Sequence, residues 1–348
     1  MYRDAQRINQ GVNESDIVYL NINIKGSSNP EISTDAEYSE NRTVPILDNP
    51  SEWIVAMVRF YAPAYDIPIF RWGTQDPEPL EDPNLKVYFK FGGFLMSASV
   101  RYISQTNSNV NNPYGRVVWN YTDFLTMINV AIAEAFALIQ GVAGWNPLIK
   151  CPRLILDSTT NLISLYSDVL MATGSGIELI CSKLLYFYFS SLTAKEDVLT
   201  IPNKDLYVLN INNNIINNVT YLGVAGYAML QEFPTLSLWS GVDKLLFISN
   251  TIPIDTELDG GQLNIQSRVI FDFVLDNSQI NNGTAIIYNS QGNQRWYNLL
   301  SSFPMKRTDL QVRILFRDGT TLPLRLLSTD TLTCKLQFVK KGNMTNLN

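Results

Sequence analysis

Two groups of carboxylates stand close enough along the chain to suggest chemistry. Glu78, Glu81 and Asp82 sit in a proline-rich stretch, and Asp255, Glu257 and Asp259 precede Gly260 and Gly261. Oxygens clustered like this could hold Ca²⁺, and paired carboxyls serve as acid and base in glycoside hydrolysis. Neither spacing matches a calcium loop, so both groups are expected to be solvated acidic turns. Histidine is absent from all 348 residues. That removes the usual general base near neutral pH, the commonest metal ligand and the histidine triads, while carboxylate, lysine or tyrosine chemistry survives. Cys151, Cys181 and Cys334 lie far apart without C-x-x-C spacing. An odd count without a secretory signal gives no disulfide framework, so they are expected to be buried small hydrophobes or free thiols. No G-x-x-x-x-G-K-[ST] run exists to cradle a phosphate, and Gly174-Ser175-Gly176 lacks the third glycine of a dinucleotide fingerprint. Catalytic, cofactor-binding and metal residues are all assigned as none, and the chain is expected not to be an enzyme.

Composition narrows the partners. Hydrophobic residues make up 46% and charged residues 17%, enough apolar content for one large core or two ordinary ones. A net charge of −6 and a pI near 4.9 argue against counterion-driven binding to nucleic acid. The largest basic groups are the pairs Lys306-Arg307 and Lys340-Lys341. The opening MYRDAQRINQ lacks the apolar centre of a signal peptide. No apolar run approaches the roughly 20 residues that span a bilayer, so synthesis in a cytosol without a membrane span is expected. The sequons at Asn13, Asn41, Asn120, Asn218, Asn282 and Asn343 are then accidents of an asparagine-rich chain.

The elements read overwhelmingly as strands. From Gln266 to Lys341 the chain alternates strand and turn. RVIFDFVLD at 268–276 sets Val269, Phe271, Phe273 and Leu275 on one face, with burial on both sides expected. QVRILFRDGTTLPLRLL at 311–327 places Val312, Ile314 and Phe316 on one side, turns at Asp318-Gly319 and returns with Leu322, Leu324 and Leu326. Asp-Gly between alternating runs predicts a hairpin with a tight primed turn. Cys334, Leu336 and Phe338 supply a further inward row.

Earlier in the chain, Ile17 to Ile24 reads as a short strand between an aperiodic start and the polar stretch Gly26 to Asn49, taken as arm or loop. SEWIVAMVRFY at 51–61 is apolar on nearly both faces, as a central strand should be. Pro63, Pro68, Pro77, Pro79 and Pro83 mark a loop that should not join a sheet interior. Two strand-like runs flank Gly92-Gly93. The one convincing helix is 122–140, where Phe124, Leu125, Ile128, Ile132, Ala135, Phe136 and Ile139 recur at helical spacing. Thr122 or Asp123 could cap its start and Gly141 its end. Its polar face lacks Lys and Arg, which argues for packing on a sheet over lying on a membrane. Leu184 to Phe189 reads as an apolar strand; as a base-stacking platform it lacks the interleaved cations such grooves carry. Short strands continue at Leu206 to Ile211, Val219 to Met229, Leu236 to Trp239 and Leu245 to Asn250. The sequence predicts an all-β chain, a sandwich or jelly roll rather than an α/β enzyme.

The order of these pieces resembles the penton, or minor capsid, proteins of virophages and polinton-like viruses, in the adenovirus and tailless-phage capsid lineage. The matching segments are LDNPSEWIVAMVRFYAP at 47–63, the helix after Tyr121, PRLILDSTTNLISLYS at 152–167 leading to the strand at Leu184, LLFISNTIP at 245–253, VIFDFVLD at 269–276 and the hairpin closing on KLQFVKK at 335–341. The resemblance implies a viral jelly roll (an antiparallel β-sandwich) with an additional helix-containing β region. It implies an icosahedral vertex of five copies held by neighbouring hexon-type major capsid proteins, and a place in the virion. The expected organisation is an arm and first strand over 1–46, a β region with the helix and an insertion over 47–200, and the closing part of the sandwich over 201–348. Two consecutive jelly rolls, one ending near Ala194 and the next starting near Pro202, are the alternative and would suit a hexon-type or triplex subunit. A carbohydrate-binding β-sandwich module is the alternative of another class. Tyr2, Arg3, Lys340 and Lys341 are the expected subunit-interface residues. The loops Pro63 to Pro83 and Asn107 to Pro113 are left open as sites for a host receptor or spike protein.

Overall fold

Residues 17–25 alternate exposed Tyr19, Asn21 and Asn23 with buried Leu20, Ile22 and Ile24, which is what a strand covering one side of a core requires. The computed structural model that shows this describes residues 16–28, 34–64, 67–72, 81–104, 116–172, 175–197, 205–209, 215–239, 241–255, 257–258, 266–275, 285–292, 294–317, 319–326 and 330–342. Strands of four or more residues are numbered in chain order. The first three are β1 (Ile17–Lys25), β2 (Glu37–Asn41) and β3 (Trp53–Ala62). Next come β4 (Glu81–Phe91), β5 (Phe94–Arg101), β6 (Arg153–Leu156), β7 (Ile163–Asp168), β8 (Glu178–Ser182), β9 (Ala194–Asp197), β10 (Leu206–Leu209), β11 (Ile215–Tyr221) and β12 (Val224–Leu230). The last are β13 (Val242–Ile248), β14 (Val269–Val274), β15 (Ile286–Asn289), β16 (Arg307–Phe316) and β17 (Thr331–Lys340). Helices are α1 (Tyr121–Gln140), α2 (Val169–Ala172) and α3 (Lys183–Phe187).

The chain forms two compact units, and they are nested. One comprises residues 1–68, 109–114 and 241–348, the other 69–108 and 115–240. Boundaries near 46 and 200 are therefore displaced, and two consecutive rolls do not describe the chain. Strands from residues 17–62 are completed by strands from 242–340, so no cut near residue 200 separates two finished sheets.

In the outer unit one sheet runs β1-β17-β3-β15 and the other β2-β16-β13-β14. Each late strand lies between two earlier ones, β17 between β1 and β3, and β16 between β2 and β13. Eight antiparallel strands ordered this way are a jelly roll. The two sheets meet through aromatic rings: Phe60 on β3 lies 4.8 Å from Phe247 on β13 and 5.1 Å from Phe273 on β14, and Phe271 lies 4.5 Å from Tyr288 on β15. A register shift between Phe247 and Ile248 modifies the expected row on β14. Phe271 and Phe273 face Phe60, whereas Val269 joins a separate cluster with Leu246, Ile248 and Leu315. A bulge reverses the side on which later residues project, which strict alternation cannot anticipate.

Two further expectations change. Gly26 to Asn49 is not simply a loop, because it holds β2, the edge strand beside β16. Its sequence EYSEN buries nothing fully, so it carries no apolar signal. The hairpin after β16 turns as expected at Gly319, whose φ is +83°, but the turn is longer than the tight primed form. The Phe316 N–H donates to Thr320 O at 2.8 Å and the Gly319 N–H to Phe316 O at 2.9 Å, leaving three residues in the loop. That is the hairpin closed by a glycine in the left-handed region after a first turn. Asp318 lies outside the described residues.

The inserted unit holds two sheets, β9-β10-β8-β4-β5 and β11-β12-β7-β6. Helix α1 has the length and hydropathy to cross a membrane. Its apolar face, with Phe124, Leu125, Ile128, Ile132, Ala135, Phe136 and Ile139, is instead buried; Phe136 meets Phe89 of β4 at 5.4 Å and Asn129 exchanges two hydrogen bonds with Leu154 of β6. Asn120, rather than Thr122 or Asp123, caps the helix, its Oδ1 accepting from the Asp123 N–H at 2.8 Å; Gly141 is the C-cap. The run Leu184 to Phe189 is not a strand. Lys183–Phe187 is α3, and Leu236–Trp239 is a 3₁₀ turn. Both are shaped around Trp239, whose ring lies 5.1 to 5.9 Å from Tyr121, Phe124, Tyr188 and Phe189. Trp239 Nε1 and Thr235 Oγ1 both donate to Tyr188 O, at 2.8 and 2.6 Å, so the helical turn at Tyr188 satisfies buried polar groups that a straight strand would leave unpaired. The proline-rich stretch also contributes more than a loop: Phe70–Arg71 pairs with Val117–Val118, Ile67 and Ile69 are buried, and Pro83 lies within β4 where its register with β5 shifts.

Candidate assembly surfaces

The outward face of the β1-β17-β3-β15 sheet is the most distinctive surface of the roll. Register aligns Ile287, Tyr61, Thr333 and Asn23 in one row, and Asn289, Arg59, Lys335 and Asn21 in the next. Ile287 is 62% exposed and Tyr61 stands directly opposite it, also exposed. Tyr19 extends the face: Lys335 Nζ sits 4.0 Å from its ring centroid, and Gln337 Nε2 donates to its hydroxyl at 3.3 Å. Arg59 and Lys335 are opposed across the ladder, with asparagines as their other neighbours in the row, so neither cation has a carboxylate beside it there. Like charges in direct opposition weaken a sheet.

Of the four residues expected at a subunit interface, Tyr2 and Arg3 lie outside the described residues. Lys340 and Lys341 are held by their own chain. Lys340 Nζ is 3.6 Å from Glu52 Oε2, and Lys341 Nζ donates to Ser51 O at 2.7 Å, tying the end of β17 to the turn before β3. Because Ile17 pairs with Val339, the first and last described strands end side by side there. Sequence reasoning passed over Tyr19, Arg59, Tyr61, Ile287 and Lys335. Trp53–Ala62 reads apolar on both faces, so only the register shift in its pairing with β17 reveals which side Arg59 and Tyr61 take.

The connections at this end of the roll carry exposed apolar side chains, Val44 before β3 and Leu300 and Phe303 before β16, with Phe303 80% exposed. Their backbones are pinned by hydrogen bonds from Ile46 N to Met305 O and from Met305 N to Leu47 O, both 2.8 Å. Next to them Asp309 clamps the segment after β13. Its Oδ1 accepts from Ser249 Oγ at 2.6 Å, Thr251 Oγ1 at 2.7 Å, and the backbone N–H groups of Asn250 and Thr251 at 2.9 Å. Burial by itself pushes the Asp309 carboxyl up, but these donors outweigh it and hold the group below the usual aspartate value.

A family model described as Sputnik minor capsid protein V18/19 matches residues 18–340, nearly the whole described roll and insertion. The chain belongs to this family. It is a structural capsid protein of the virophage type. Structural protein V19 of Sputnik virophage is 28% identical over 216 residues, 53% of this chain and 93% of V19; protein V18 of the same virophage is 30% identical over 149 residues, 38% of this chain and 89% of V18. A chain in the 3.5 Å cryo-EM structure of Sputnik virophage superposes with a TM-score of 0.75 at 25% identity, covering 94% of this chain and 98% of that one. The crystal structure of the mavirus penton protein shares the fold, with a TM-score of 0.68 at 18% identity over 93% of this chain and 99% of that one.

The carboxylate groups that first suggested chemistry are only partly within the described residues. Glu78 and Asp259 lie outside the described residues, and among the described residues no group of three carboxylates or thiols is placed to hold a metal. The cysteines are free thiols. Burial pushes each of them up to about 12, with Cys181 and Cys334 fully interior and Cys151 partly so. A thiol in that range is protonated at neutral pH and is a poor nucleophile.

Proposed function

We propose that the chain is a penton subunit, five copies of which close a ring at an icosahedral vertex and are held by hexon-type major capsid proteins around them. The observation that carries this reading is the sheet face with Tyr19, Tyr61, Ile287, Arg59 and Lys335. It joins aromatic, aliphatic and basic side chains of the kind that dominate interface energies, and it includes a like-charge pair whose cost to the isolated subunit a carboxylate on a neighbour would relieve. A ring needs heterologous contacts, in which this face meets a different surface of the next copy. Tyr2, Arg3, Lys340 and Lys341 are proposed to add contacts where the first and last strands end together. The protein works by assembly and not by catalysis; it is synthesised in the host cytoplasm and incorporated into the virion.

Electron microscopy of the purified protein and of particles carrying it tests the reading. Rings of five are expected. A pseudo-hexagonal trimer, or a monomer that neither closes rings at high concentration nor occupies vertices in the particle, refutes it. Arg59→Glu with Lys335→Glu should abolish ring closure with the fold intact.

A further inference from the structure

One end of the β11-β12-β7-β6 sheet gathers three exposed leucines from three separate segments. Leu148 precedes β6 and is 68% exposed, Leu170 lies on α2 just after β7 and is 41% exposed, and Leu222 caps the β11–β12 hairpin at 65%. A buried scaffold holds these segments together. Asp168, at the end of β7, accepts from the Lys150 N–H at 3.1 Å through Oδ2 and from the Leu170 N–H at 2.9 Å through Oδ1. Tyr221 donates its hydroxyl to Cys151 O at 2.5 Å and stacks on Tyr166, which fixes the hairpin against β6 and β7. The leucines therefore project from a positioned frame.

Two features set this end apart from ordinary surface. Leu222 adopts φ +49° beside Gly223 at φ +80°, a turn that favours asparagine or glycine at both central positions. A bulky residue in that conformation costs stability, so its presence at an exposed tip points to a use for the side chain. The second feature is charge. In a chain with 32 acidic residues, 141–156, 169–177 and 206–231 contain no Asp or Glu, and their only charged residues are Lys150 and Arg153, both exposed at this same end. The carboxylate at this end, Asp168, is buried and taken up by backbone N–H groups, so the exposed leucines are flanked at the surface by cations, which complements an anionic bilayer surface. A protein partner is favoured less, because among the described residues the tips present neither a continuous sheet face nor an exposed aromatic anchor beside the leucines.

We propose that this end of the inserted unit contacts membranes, placing Leu148, Leu170 and Leu222 among the headgroups of an anionic lipid surface while Lys150 and Arg153 pair with phosphates or carboxylates above them. This goes beyond capsid assembly and does not depend on the ring. The test is flotation of the full chain with vesicles of phosphatidylcholine alone and of phosphatidylcholine mixed with phosphatidylserine. Wild type is expected to float with the mixed vesicles and less with the neutral ones. Leu148→Ser with Leu170→Ser and Leu222→Asn should reduce the floated fraction on the order of tenfold. Lys150→Glu with Arg153→Glu should lower binding to the mixed vesicles to the neutral level. Leu222→Asn alone suits the turn and preserves the fold, so it decides the matter should the triple variant misfold. Failure of wild type to float with either vesicle overturns the proposal, as does undiminished flotation of the variants.

Discussion

Asp309 is where a single side chain most clearly holds two segments of the roll, and Asp309→Ala should show it. One carboxylate oxygen accepts four hydrogen bonds from residues 249–251, and the Asp309 N–H in turn donates to Thr251 Oγ1 at 2.8 Å. Hydrogen bonds to a charged acceptor contribute roughly 1.5–3 kcal/mol each when buried. This group is half-solvated and Asn250 is exposed, so water would recover part of each lost bond; about 0.5–1 kcal/mol per donor is the screened figure. The four together give about 2–4 kcal/mol, or a Tm lower by roughly 5–12 °C for a unit of this size. Asp309→Asn keeps an acceptor oxygen without its charge and should cost about half as much. The pH dependence checks the same reasoning. A carboxyl held below its unfolded value contributes stability above that value, about pH 4, and loses it as pH falls through the lowered folded value. The gap between wild type and Asp309→Asn, measured by calorimetry, should therefore be full at neutral pH and close progressively below about pH 4. A gap under about 0.5 kcal/mol at pH 7, or one that widens in acid, refutes the clamp.

Other perturbations are equally direct. Gly226→Ala should destabilise the inserted unit by about 2–3 kcal/mol or more in thermal melts, because a Cβ there would lie 2.7 Å from Tyr221 Cβ and 2.8 Å from Ser167 O. Leu222→Asn should raise stability by roughly 0.5–1 kcal/mol by relieving the left-handed leucine, measured the same way. Cys181 and Cys334 should resist iodoacetamide at pH 8 until denaturant is added, with mass spectrometry as the readout, since burial both shields them and raises them to about 12.

How far the sequence revealed the fold depended on where the apolar residues fell. β17, with Leu332, Cys334, Leu336 and Phe338 inward, and α1, with its heptad-like face, were legible because one buried side imposes a period. β2 was not, because an edge strand of Glu, Tyr, Ser, Glu and Asn has no buried row to betray it. The run Leu184 to Phe189 misled for the opposite reason. Apolar residues at every position fit strand or helix alike, and the choice fell to Trp239 and Thr235, which need the Tyr188 carbonyl and lie far along the chain. The candidate surface was hidden for a third reason. Arg59 and Tyr61 alternate with Phe60 in the sequence, yet that they oppose Lys335 and Ile287 is a matter of register between distant strands.

The nesting of the two units follows from the same long-range pairing. β3 and β13 belong to different sheets, so the connection between them must cross from one sheet to the other, and lengthening such a crossing costs little because closure entropy grows only with the logarithm of its length. The added residues form sheets and a buried interior of their own. The roll is the unit under constraint. β1 and β3 cannot be joined until β17 lies between them, as the contact of Tyr19 with Gln337 across 318 residues makes plain. Pairings that distant form slowly, whereas most of the inserted unit is one contiguous stretch whose strands pair nearer in sequence. On a ribosome the insertion is complete before the roll can close, and the sheet face proposed for assembly comes into being only with the last strand.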